Sequence, residues 1–137
     1  MVHALKEVWR VLAQDGCLLD SRQIANYSRV EIVVGEQVRL AGAADDSAWL
    51  PDDVACDRAL AQVVSEGWFA FERKVFLDTA AYYDSIDTLR KRCEVNKALV
   101  SESVLAKAQE LLTQGGANAQ VRWNTKTLVA RYCKLSR

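Results

Sequence analysis

The side chains with the most chemical reach in this 137-residue sequence are four thiols, one imidazole and a scatter of carboxylates. Cys17, Cys56, Cys93 and Cys133 lie 39, 37 and 40 residues apart, with no C-x-x-C and no neighbouring histidine. That spacing excludes a short-spaced zinc site, and the thiols read as buried and free. A disulfide pair stays open, but nothing in the spacing supports one. The lone histidine, His3, sits near a chain end, so acid–base catalysis through imidazole is not expected. No G-x-S-x-G, P-loop or G-x-G-x-x-G occurs, and Gly115-Gly116 reads as a helix stop rather than a phosphate cradle. The acidic run at 45–57 could hold a cation, although carboxylates at a helix start explain it better. Neither catalytic nor metal-ligating residues are assigned, and no cofactor is expected.

Arg122, Lys126, Arg131, Lys134 and Arg137, interrupted by Trp123 and Tyr132, have the composition of a single-stranded nucleic-acid surface. A strand with one solvated face gives the same pattern and is the preferred reading. Lys plus Arg and Asp plus Glu are each 18, so there is no overall pull toward nucleic acid or an anionic membrane. The charge is uneven, with 6 basic and 11 acidic side chains in residues 1–67 and 12 basic and 7 acidic in 68–137. The halves could face each other within one domain or meet across subunits. No signal peptide and no apolar run of about 18 residues is seen, so a cytoplasmic protein free of membrane is expected.

The elements that must carry these residues fit a single domain over 1–137. Val2, Leu5, Val8, Trp9 and Leu12 make one helical stripe within 2–13, ended by Gln14-Asp15-Gly16. Cys17-Leu18-Leu19 looks like a strand buried on both faces. Residues 30–34 and 37–40 alternate as a hairpin around Gly35-Glu36, and 41–50 form a loop. Pro51 opens a helix over 51–66 whose apolar positions are Val54, Ala55, Leu60, Val63 and Val64. A long strand follows over 68–83. Asp84 is the expected cap of a helix over 85–97 with Ile86, Leu89 and Cys93 inward, and Ser101 caps one over 102–114. Residues 119–135 form the last strand, with Val121, Trp123, Thr127, Val129, Cys133 and Leu135 on one face. The two long strands are expected to be neighbours.

The stretch ALKEVWRVLAQDGCLLD resembles a segment of the class I S-adenosylmethionine-dependent methyltransferases. There a helix ending in a phrase like RVLKPGG leads into the fifth strand of a Rossmann-like sheet. Here Arg10-Val11-Leu12 matches, and Gln14-Asp15-Gly16 replaces the turn. DDVACDRALAQVVSEGWF, FLDTAAYYDSIDTL and LVARYCK are similar to that family's last helices and closing antiparallel strands. The resemblance implies an α+β fold: a mixed, mostly antiparallel sheet packed with the four helices above, like the C-terminal half of such an enzyme. It implies a truncated relative without the N-terminal cofactor-binding half, in which a glycine-rich turn and a ribose-binding acid hold the cofactor. Independent methyl transfer is therefore not expected.

The resemblance also places the substrate pocket after the fifth strand, which points to Trp49, Trp68, Tyr82 and Tyr83, with Asp20 and Arg22 nearby, as ligand-binding candidates. Core or interface packing is the competing role for the aromatics. Two functions follow. One is a non-catalytic oligomeric module binding a small ligand or a protein partner. The other is the substrate-side half of a methyltransferase, active only with a separate cofactor-binding chain. An uncovered strand edge beside Leu18 and Leu19 predicts a homo-oligomer, most simply a dimer.

Overall fold

Helical periodicity, strand alternation and caps give an α+β fold in the computed structural model, which describes residues 1–136; Arg137 of the basic tail lies outside the described residues. In chain order the elements are α1 (Val2–Val11), β1 (Cys17–Gln23), β2 (Arg29–Val34), β3 (Gln37–Ala43), α2 (Leu50–Ser65), β4 (Phe69–Tyr83), α3 (Ile86–Asn96), α4 (Glu102–Gly115) and β5 (Ala119–Lys134). The strands form one sheet in the order β1-β5-β2-β3, and β4 also pairs with β5, so the two long strands are neighbours. β5 is antiparallel to β1 from Cys17↔Cys133 to Gln23↔Thr127, and to β2 from Arg29↔Asn124 to Val34↔Ala119. Between those registers the five residues 24–28 lie opposite only 125 and 126, so the chain must loop out of the ladder there. Among the described residues, no helix is long and apolar enough to cross a membrane.

The chain gathers into two compact units. The first holds Met1–Gln23, Leu50–Leu77 and the chain from Thr127 onward. Its core contains Ala59, Leu60, Val63, Phe69, Leu128 and Ala130. The apolar stripe of α1 packs on α2, where Trp9 meets Trp68 edge to face with centroids 4.9 Å apart. The apolar face of α2 begins later than its sequence suggests: Val54 and Ala55 are exposed, because the first turns of the helix present Asp53 and Asp57 to Arg22 instead. β1 is not buried on both faces either. Leu18 is half-buried, whereas Leu19 is 59% exposed at the end of the strand order.

The second unit holds Ile24–Trp49 and Asp78–Lys126. α4 packs on the β2–β3 hairpin and α3 adjoins α4, around Val30, Ile32, Leu89, Leu105, Ala108, Val121 and Trp123. Gly35 turns the hairpin with φ of 59°, in the left-handed region that glycine enters without strain. Ser101 caps α4 by accepting from the Val104 N–H at 3.3 Å. Ser85, not Asp84, caps α3: it has the extended backbone of a cap residue and accepts from the Thr88 N–H at 3.2 Å, while Asp84 accepts from Gln120 at 3.4 Å. The alternation along β5 also changes phase. Val121, Trp123 and Thr125 are buried in the second unit, but Leu128 and Ala130 are buried in the first, in place of the expected Thr127 and Val129. The shift falls where the ladder is interrupted, between the registers that end at Asn124 and begin at Thr127.

Candidate functional site

At the interruption Ile24 keeps a ladder bond, its N–H donating to the Lys126 carbonyl at 3.0 Å, and the segment that loops out beyond it needs side-chain support. Asn26 takes a left-handed conformation with φ of 68°, which asparagine tolerates better than most residues. Asp46 fixes it. This carboxylate is completely buried and accepts from the Asn26 backbone N–H and from the Ser28 hydroxyl. The Ser28 hydroxyl also hydrogen-bonds that of Thr125, 3.3 Å away on β5. Ser28 and Thr125 are each 2% exposed, so a polar network closed to water anchors the loop to the strand.

Outside that network opens a cleft of about 160 Å³, lined by Tyr27, Arg29, Asp78, Asn124, Thr125 and Lys126. Buried Val30 locks its neighbour Arg29 outward by strand alternation. The Lys126 ammonium stands 5.3 Å over the Tyr27 ring, a cation–π contact that limits where it can reach. Thr79 Oγ1 donates to the Thr125 carbonyl at 3.5 Å, tying β4 to the cleft floor. The lining thus sets two cations, Arg29 and Lys126, against one carboxylate, Asp78, with the Asn124 amide and the Tyr27 phenol among them.

The six residues singled out from sequence do not form one site. Asp20 and Arg22 meet in the first unit, within an ion-pair knot. Arg22 Nη1 donates to the Asp53 carbonyl at 2.8 Å, Nη2 pairs with Asp57, and Nε lies 3.3 Å from Asp20 Oδ2 at an angle that makes no hydrogen bond. Burial pushes the Asp20 carboxyl up despite Arg22 beside it. The Arg22 guanidinium is thus committed to binding β1 to α2. Trp68, also in the first unit, meets Trp9 edge to face and donates to Glu66 at 3.0 Å. In the second unit, Trp49 donates to the Asn96 carbonyl at 2.7 Å, and both Trp49 and Tyr83 pack on the core. Tyr82 is 53% exposed beside Arg122, whose 2.7 Å pair with buried Glu31 holds it above the ordinary range. Of the cleft residues, sequence reasoning marked Lys126 alone, as part of a wet strand face. Among the described residues no group of three His, Cys, Asp or Glu is placed to hold a metal.

The Trp9–Trp68 corner carries a pH prediction. Lys6 binds Glu66 at 2.6 Å, and Gln62 and Trp68 also donate to it, which lowers the Glu66 carboxyl from 4.5 to about 2. A depressed folded value stabilises the fold above the unfolded value and is lost as pH falls through the folded one. The docking of α1 should therefore weaken between about pH 4.5 and 2. In Lys6→Ala the carboxyl titration seen by NMR should move up toward 4.5; an unmoved midpoint would contradict the assignment.

Compared with known proteins, the chain matches no family model and no curated protein.

Proposed function

We propose that this chain is a non-catalytic binding module, related to the substrate-side part of the class I S-adenosylmethionine-dependent methyltransferases, that takes a small anionic ligand, such as a carboxylate, and works as a homo-oligomer. The observation that carries the ligand reading is the cleft with Arg29 and Lys126 on its rim and a closed hydrogen-bond network beneath it. The closed network fixes the backbone that carries Arg29 and Lys126, and the Tyr27 ring confines the Lys126 ammonium, a preorganisation that lowers the entropic cost of binding a small ligand. The cleft follows β1, where the family resemblance puts the substrate pocket.

Oligomer formation is supported by the open edge of β1 with Leu19 exposed, and by Phe71, Val75, Phe76 and Leu77 of β4, each about half exposed. The same open edge also favours the second reading, in which β1 accepts a strand from a cofactor-binding part supplied by another chain. Methyl transfer would then need that part, because the sequence holds no glycine-rich turn to let a backbone approach the cofactor.

Calorimetry separates these readings. The chain is expected to bind succinate or inorganic phosphate, and Arg29→Ala and Lys126→Ala should each weaken the interaction about tenfold, the loss of one charge-assisted contact. S-adenosylmethionine should give no heat. Micromolar binding of S-adenosylmethionine, or anion binding indifferent to both substitutions, would refute the proposal.

A further inference from the structure

Cys17 and Cys133 stand directly opposite each other in the β1–β5 ladder, although 116 positions separate them in the chain. Two backbone bonds fix what kind of pair they make. The Lys134 N–H donates to the Gly16 carbonyl at 3.0 Å, and the Ile24 N–H to the Lys126 carbonyl at 3.0 Å. Bonded and non-bonded pairs alternate along an antiparallel ladder. Even-numbered residues of β1 are therefore the bonded ones, and Cys17/Cys133 is a non-hydrogen-bonded pair. Such partners project from the same face with Cα atoms about 4.5 Å apart, inside the ~4.4–6.8 Å that a disulfide spans. Both thiols are free and half-exposed, whereas Cys93 is buried and belongs to the other unit.

The surroundings differentiate the two sulfurs. Cys133 donates to Glu72 Oε2 at 3.1 Å, and that hydrogen bond holds its thiol above the ordinary range. Arg131, two residues along β5 and on the same face, pairs with Glu72 at 3.1 Å. Cys133 is thus the poorer first nucleophile.

We propose that Cys17 and Cys133 form a dithiol–disulfide couple, oxidised by a small-molecule disulfide such as oxidised glutathione. The Cys17 thiolate, its proton lost to water, attacks one sulfur of the reagent. A Cys17 mixed disulfide forms and one glutathione thiolate leaves. Cys133 then gives up its proton, attacks the Cys17 sulfur and expels the second glutathione. Two protein thiols are oxidised and one reagent disulfide is reduced to two thiols, which take up the two protons. The product ties β1 to the end of β5. Both side chains leave the sheet through its face, so the backbone edge of β1 stays open for pairing.

The test equilibrates the reduced chain with excess oxidised glutathione, counts remaining thiols and maps linkages by mass spectrometry of unreduced peptides. Two of four thiols should disappear, the protein mass should fall by two hydrogens, and one peptide pair should join Cys17 to Cys133. The double variant Cys56→Ser/Cys93→Ser should oxidise equally well, and dithiothreitol should reverse the change. Four thiols remaining, a glutathione adduct on Cys17 that never resolves, or linkage through Cys56 or between chains would overturn the proposal. The wild-type peptide map decides the matter even if a variant fails to fold.

Discussion

Replacing Asp46 with alanine is expected to lower the free energy of unfolding by about 3 kcal/mol, since hydrogen bonds to a charged group contribute about 1.5–3 kcal/mol each and an orphaned buried donor costs about 1–3 kcal/mol. The carboxylate is completely buried and accepts from the Asn26 N–H and the Ser28 hydroxyl, so truncation removes the acceptor of the Asn26 N–H and leaves the buried Ser28 hydroxyl with Thr125 alone. Asn26 also loses the contact that holds its left-handed backbone. Asp46→Asn keeps an acceptor and should cost less. Urea denaturation measures both. A change in Asp46→Ala below about 0.5 kcal/mol, the range of ordinary surface substitutions, would mean that the network does not hold the loop.

In light scattering at micromolar concentration the chain is expected at twice its 15.3 kDa mass. β1 closes one end of the strand order with no proline or lysine between residues 16 and 21 to discourage pairing. Leu19 stands 59% exposed on it, and Phe76 and Leu77 of β4 are 53% and 49% exposed. Burying one such side chain is worth about 1.5–3 kcal/mol, so Leu19→Lys should weaken association at least about tenfold. The uneven charge of the chain, negative in its first half and positive in its second, would favour an antiparallel two-fold contact in such a dimer. A mass of 15.3 kDa for the wild-type chain would show that the edge pairs with no second copy.

Much of the frame was legible because it is written in local spacing. The stripe of α4 and the Ser101 cap lie within a few residues of each other, the apolar positions of α3 recur within one short helix, and the Gly35 turn needs only the two strands beside it. The cleft is not local. Tyr27 and Arg29 meet Asn124, Thr125 and Lys126 through a β2–β5 register that joins residues 95 positions apart at Arg29↔Asn124. Asp46 illustrates the limit. In the run AGAADDSAWL it reads as one of several helix-start carboxylates, and nothing local distinguishes it from its neighbour Asp45, which accepts from the Ser47 N–H at 3.0 Å. The looped-out segment that gives Asp46 its partners is a consequence of two registers that do not match. Cys17 and Cys133 are hidden for the same reason: only the ladder makes them neighbours.

The central claim, that a preorganised anion cradle lies where the β5 ladder breaks, is tested most directly by following backbone amide resonances while succinate is titrated into the chain. Saturable shifts concentrated at Tyr27, Arg29 and Asn124–Lys126, and lost in Arg29→Ala, are the predicted result. Shifts scattered over the basic surface without saturation, or centred on Trp49, Tyr83 or the Asp20–Arg22 knot, would contradict it.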